Sequence, residues 1–207
     1  MPRRKDKNIP NPYRRISCCC FDFLLGAQIS QGISLIKIQT PLDTKIITRL
    51  RVGDSVEISG TIYGARDAAH KRFIEILKNN GRLPIDIENQ IIYYVGPSAT
   101  PPGFIVGSCG PTTSSRMDRY TIKLLEYGLK GMIGKGIRSK NVKKAIVEHN
   151  AIYFVTYGGC GAYLSRFIRK WDIAAFPELG PEAVYKIEVE KFPAIVGIDV
   201  KGNDIYF

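Results

Sequence analysis

At 207 residues, with 44% hydrophobic and 24% charged side chains, the chain has ordinary globular composition and enough length for one domain with a substantial core, which excludes a largely disordered protein. The net charge of +11 is unusual, yet about half of the excess falls in the first fifteen residues, where Arg3, Arg4, Lys5, Lys7, Arg14 and Arg15 face only Asp6. A short basic tail is more often a solvated or surface-docking segment than a reading surface, so nucleic acid is not the expected partner.

Cysteine usage points to a reducing compartment. Cys18, Cys19 and Cys20 are adjacent and cannot readily bridge one another, Cys109 and Cys160 make the count odd, and no C-x-x-C pair occurs. The segment 16–36 superficially resembles an export signal, but Asp22, Gln28 and Gln31 interrupt it, and it makes a poor membrane span. Residues 1–33 are therefore read as a basic, flexible N-terminal extension. The main domain is placed at residues 34–207, and a cytoplasmic location is expected.

Alternation predicts strands over 34–39 and 55–63, with a turn at Val52-Gly53-Asp54. A helix follows from Asp67, read as its cap, to about Lys78, with Ala69, Phe73, Ile76 and Leu77 on its apolar face. Strands are expected over 91–95 and 104–106, separated by Gly-Pro and Pro-Pro turn material. Thereafter an apolar strand, a glycine turn and a helix recur three times. Residues 104–106 lead into a helix over 113–127, Met132-Ile133 into 139–149, and 152–155 into 161–170. Such alternation implies βαβ units with parallel strands, whose C-terminal ends are the usual ligand position. Strand-like composition returns over 173–176, 185–189 and 194–199, giving a layered α/β domain with a mixed sheet and antiparallel edges.

The run from Gly107 to Asp118 is the most informative stretch. Its glycines permit tight turns, Thr112 and Thr113 offer hydroxyls, and Arg116 falls one turn beyond Thr112, a pattern suited to a carboxylate or phosphate at a helix N-terminus. It is not a P-loop, because the Lys-Ser or Lys-Thr ending is missing, and a plain capped helix start fits equally well. Gly134-Lys135-Gly136 places a lysine between glycines at a strand end. Arg66 opens a helix, where a cation opposes the macrodipole unless an anion is near. His70 and His149 read as structural residues, Cys109 and Cys160 as thiols rather than cluster ligands, and Arg166, Arg169 and Lys170 as a solvated basic helix end.

The ordered set Val52-Gly53-Asp54, Gly60-Thr61-Ile62-Tyr63, Ala65-Arg66-Asp67-Ala68-Ala69-His70, Gly110-Pro111-Thr112-Thr113, Arg116-Met117-Asp118 and Gly134-Lys135-Gly136 continues through Gly158-Gly159-Cys160, Pro177-Glu178-Leu179-Gly180, Glu182-Ala183, Glu188-Val189-Glu190 and Gly202-Asn203-Asp204. It resembles the C-terminal domain, or separate β subunit, of the class I iron-sulfur fumarases and L(+)-tartrate dehydratases. The resemblance covers residues 36–207. It implies a swivelling β/β/α domain that closes over a 4Fe-4S cluster held by three cysteines of an α subunit, the cluster acting as Lewis acid on a 2-hydroxy dicarboxylate. It implies that Arg66, Thr112, Thr113, Arg116 and Lys135 face the substrate, with Thr112 and Lys135 catalytic, and that this chain is inactive without its α subunit in a heterodimer or heterotetramer. Fumarate and tartrate both remain open as substrates. A non-enzymatic binding module for an anion or a nucleic acid is the reading from a different class. Ser114-Ser115, where alanine or glycine is common in the family, is expected to be harmless.

Overall fold

The computed structural model describes residues 35–206; the N-terminal extension and Cys18, Cys19 and Cys20 lie outside them. The elements in chain order are β1 (Ile36–Gln39), a short α1 (Thr44–Ile47), β2 (Ser55–Gly64), α2 (Asp67–Lys78), β3 (Ile91–Tyr93), α3 (Asp118–Glu126), β4 (Gly131–Gly134), α4 (Lys140–Glu148), β5 (Ile152–Val155), the single turn α5 (Gly161–Leu164), β6 (Ile168–Ala175) and β7 (Val184–Ile198). They form a mixed α/β structure around one sheet in the order β1-β2-β3-β4-β5-β7-β6. Neighbours from β1 to β5 are parallel, whereas β7 is antiparallel to β2, β5 and β6. Because β7 pairs with β2 as well as β5, the sheet curls partly into a barrel.

Period-two alternation on β3, β4 and β5 divides the core in two. Ile91, Tyr93, Ile133, Ile152 and Phe154 point to one face, where Ile58, Ile187 and Phe192 join them. The intervening Ile92, Met132 and Tyr153 point to the other, under Phe73 and Leu77 of α2, Leu124 and Leu125 of α3, and Val142 and Ile146 of α4. Both faces of these strands are buried, the usual condition of parallel strands flanked by crossover helices.

Four expectations are corrected. Residues 104–106 form no strand: they follow Pro101, Pro102 and Gly103 as an irregular loop with Phe104 and Ile105 exposed and only Val106 inserted in the core. The helix expected over 113–127 begins as a short 3-10 turn, Ser114–Met117, before α3. The helix expected over 161–170 stops at Leu164, and after a 3-10 turn at Ser165–Phe167 the chain becomes β6, since pairing with β7 overrides its weak helical pattern. Arg169 and Lys170 thus lie on an edge strand, paired with Glu190 and Asp172, and charge suits such an edge. Finally, the strands expected over 185–189 and 194–199 are one strand, β7, whose interruption at Lys191 (φ 55°) is a bulge against Ser59, the Lys191 N–H donating to the Ser59 hydroxyl.

Two motifs are scaffold rather than site. The buried Asp199 carboxylate accepts the N–H groups of Val52, Lys201 and Asn203 and the Asn203 side-chain amide, tying Val52-Gly53-Asp54 to Gly202-Asn203-Asp204. Burial alone would raise its pKa; the hydrogen bonds outweigh that and hold it below the usual carboxylate range.

Candidate active site

The C-terminal ends of the parallel strands β2, β3, β4 and β5 open onto one edge of the sheet, and the glycine loops converge there. Gly161 sits so close to the 108–110 loop that a Cβ would come within 2.3 Å of the Ser108 hydroxyl and 2.6 Å of the Gly110 nitrogen. Only a residue without a side chain lets the loops after β3 and β5 approach this closely.

Arg66 follows β2 and precedes α2. Its guanidinium lies over Gly96, where a Cβ would be 2.6 Å from Nη1, and its Nη2 donates to Glu182 Oε1 at 2.8 Å. The other carboxylate oxygen of Glu182 accepts the Ala68 N–H at 2.8 Å. The anion that an arginine at a helix start calls for is therefore supplied by the chain itself, and Glu182, rather than Asp67, caps α2. Asp67 instead takes Arg116 in an ion pair in which Nε donates to Oδ1 at 3.0 Å while Nη2 lies 2.7 Å from Oδ2, an oxygen buried without a hydrogen bond of its own. Each arginine thus has a carboxylate partner, and the Arg66 Nε is buried beside Gly96 without a hydrogen bond.

The run after Gly110 is extended, not helical. Pro111 bridges to Val95, the Thr112 N–H donates to the Tyr94 carbonyl at 2.8 Å, and Thr113 bridges in parallel to Lys135. The Ser114 N–H donates to the Lys135 carbonyl at 2.9 Å, so the chain itself takes one donor of the first turn. The threonines and the lysine meet by strand-like pairing instead. Lys135 leaves β4 with its side chain along Gly158, 3.4 Å from a Cβ built there, and among the described residues it makes no ion pair. All five residues singled out in the sequence thus belong to this one edge, linked through Asp67, Gly96 and the Thr113–Lys135 bridge.

Sequence reasoning noted Glu182 only as part of the Glu182-Ala183 motif, without its pairing to Arg66, 116 residues away, and missed the buried Arg138. The Arg138 side chain is 0% exposed; it pairs with Asp118 at 2.7 Å, donates to the Thr121 hydroxyl at 2.8 Å and lies over the rings of Tyr94 and Tyr153. A lone arginine after a glycine turn carries no local signal of such burial. Ser114, expected to be inconsequential, is also buried, its hydroxyl 2.9 Å from that of Tyr153.

His70 is the structural histidine expected. Its Nδ1 faces the Arg66 carbonyl at 2.9 Å, so Nδ1 carries the proton, and its ring packs against Phe73 and Tyr94. Burial lowers its pKa from 6.5 to about 4. The unfolded chain then binds more protons than the folded one between those values, so stability is complete above pH 6.5 and falls as pH drops, by about 3 kcal/mol in all. Urea-unfolding midpoints from pH 7 to 5 are expected to decline, and His70→Gln is expected to flatten that decline. An equal slope in both proteins would refute the assignment.

No group of three or more His, Cys, Asp or Glu side chains among the described residues is placed to hold a metal ion. Cys109 is buried, its Sγ 3.7 Å from the Gly161 carbonyl, and burial pushes its thiol up to about 12, far from thiolate character. Cys160 is half-buried at the start of α5. No helix among the described residues is long and apolar enough to cross a membrane.

Comparison with known proteins converges on one family. The family model described as the fumarase C-terminus matches residues 24–207. The chain is 41% identical over 175 residues to fumarate hydratase 2 of Leishmania major, covering 83% of this chain and 31% of that protein. It is 41% identical over 162 residues to the aerobic class I fumarate hydratase of Escherichia coli K12, covering 77% of this chain and 30% of that protein. To the "Putative L(+)-tartrate dehydratase subunit beta" of Methanocaldococcus jannaschii it is 39% identical over 171 residues, covering 80% of this chain and 88% of that subunit. The chain therefore spans about a third of the fumarate hydratases it matches and nearly the whole of the separate subunit.

Proposed function

The chain belongs to the fumarase C-terminus family, and from that premise we propose that it is the β subunit of an iron-sulfur hydro-lyase that reversibly hydrates fumarate to malate. One observation carries this reading: Arg66, Arg116 and Lys135 share the C-terminal edge of the parallel strands with Thr112 and Thr113, each held by backbone or carboxylate contacts. Two forked cations suit the two carboxylates of a small dicarboxylate, each bound through donors that Glu182 and Asp67 leave unused. Lys135 balances the charge that builds on the substrate as a carbanion-like transition state forms. Thr112 is the proton-transfer residue at the substrate carbon, activated by an acidic residue of the partner.

The 4Fe-4S cluster belongs in this reading to an α subunit that carries its cysteines. The domain swivels to bring this edge over the partner's half of the site, in a cytoplasmic heterodimer or heterotetramer. The same chemistry on L(+)-tartrate is a second reading, favoured by the 88% coverage of the tartrate dehydratase subunit; it needs the same arginines and differs in local hydrogen bonding to the extra hydroxyl.

Mixing the chain anaerobically with its α partner is expected to yield fumarate hydration, with each chain inert alone. Activity on tartrate alone would select the second reading. No turnover of any hydroxy dicarboxylate, together with salt-sensitive RNA binding, would overturn both. Thr112→Val is expected to lower kcat by about 10²–10⁴-fold, the usual contribution of a positioned proton-transfer group. Retained malate–fumarate exchange in that variant would remove Thr112 from the role.

A further inference from the structure

We infer that Arg138 is a positioning residue, its buried guanidinium fixing the mutual placement of Thr112, Arg116 and Lys135 from behind the site. The inference rests on the hydro-lyase reading of that edge. Arg138 lies three residues after Lys135, and its Nε holds Asp118, which lies two residues after Arg116. The second oxygen of Asp118 accepts the Ser139 N–H at 2.7 Å, so one carboxylate joins the start of α3 to the loop that carries Lys135.

The same guanidinium is stacked over two rings that serve the site's other backbone. Its carbon is 5.4 Å from the centroid of Tyr94, whose carbonyl receives the Thr112 N–H. It is 5.0 Å from the centroid of Tyr153. The Tyr153 hydroxyl donates to the Gly136 carbonyl at 2.9 Å and so accepts from the Ser114 hydroxyl, since a phenol has one proton to give. Gly134 leaves room for that arrangement, because a Cβ there would come within 2.0 Å of the Ser114 oxygen.

All three segments that present Thr112, Arg116 and Lys135 therefore lean on one side chain that faces away from solvent. An ion pair kept only for stability would need no such distribution, as an apolar cluster fills a buried space equally well. The planar fork of arginine reaches Asp118 and Thr121 together while stacking on both rings, which an ammonium cannot do.

The test uses Arg138→Lys, which keeps the charge and loses the fork, and Asp118→Asn, which keeps an acceptor for Ser139 and serves where the first variant folds poorly. In the assembled complex kcat for fumarate hydration is expected to fall by about tenfold to a hundredfold with KM changed by less than about threefold, the pattern of misplaced reacting groups. In the isolated full chain the amides of Ser114 and Ser139 are expected to exchange at least about tenfold faster, with β7 protection unchanged, because local opening is separate from global unfolding. Unchanged exchange at Ser114 and Ser139, or kcat within about twofold of the unsubstituted complex, overturns the inference. An unsubstituted complex without activity refutes the hydro-lyase reading instead, while the exchange measurement still decides the positioning.

Discussion

Lys135→Ala is expected to reduce kcat of the assembled complex by roughly 10²–10³-fold, the scale on which one preorganised charge contributes to a transition state. The backbone around Lys135 is held by the Thr113 bridge and by the Ser114 N–H on its carbonyl, and neither contact uses the side chain. Truncation thus removes the ammonium and little else. Since Lys135 makes no ion pair among the described residues, no carboxylate is left stranded and the folded state is undisturbed. Following fumarate absorbance with malate as substrate, alongside size-exclusion of the complex, separates loss of chemistry from loss of assembly. A near-normal kcat/KM would take Lys135 out of the site.

Arg116→Ala is expected to lower kcat/KM by a comparable factor, about 10²–10³, while the chain stays folded with a modestly lowered unfolding midpoint. The Arg116 side chain is 52% exposed but that of Asp67 only 22%, with Oδ2 buried, so truncation also leaves a buried carboxylate oxygen unpaired, at a cost of about 1–3 kcal/mol. A loss of kcat/KM in a variant that remains folded and assembled reports on substrate. Arg116→Lys is expected to recover little, since a point ammonium cannot divide itself between Asp67 and a carboxylate as a fork does. If Arg116→Lys matched the parent in kcat/KM, two-pronged recognition at this position would be refuted. If Arg116→Ala unfolded the chain, the residue would be scaffold.

Both experiments bear on how the site is built. The carboxylates beside the arginines make the edge nearly self-neutralising, with Arg66 on Glu182 and Arg116 on Asp67. On the proposed reading, a dicarboxylate entering this edge would meet arginines already oriented, which lowers the ordering cost of binding. Glu182 shows why the sequence did not disclose this. It lies 116 residues from Arg66, in a 3-10 stretch after an edge strand, and nothing local to Pro181-Glu182-Ala183 marks it as a helix cap for a distant segment.

The βαβ units and their glycine turns were readable because each depends on local periodicity and on backbone freedom, which neighbouring residues dictate. The same holds for α2 and α4 and for the strands β4 and β5. Arg66, Thr112, Thr113, Arg116 and Lys135 were picked out together by the family resemblance that the ordered motifs carry, since spacing alone left a plain helix cap equally open. Local pattern failed where pairing partners were remote. The stretch after Leu164 became β6 because β7 was available beside it, and the two expected strands near the C-terminus merged because β2 offered one long partner. Residues 104–106 look apolar enough for a strand, but they join no strand of the sheet, and prolines on their approach keep the backbone irregular.

By itself, then, the amino-acid sequence determined which residue types sit at which turns, since hydrophobic period and glycine placement act over a few residues. The tertiary structure alone decided the carboxylate partners of the arginines, the burial of Arg138 and the partial closure of the sheet through β2 and β7. Each of those is a contact between segments far apart along the chain, and its energy depends on a desolvated geometry that exists only once the layers have packed.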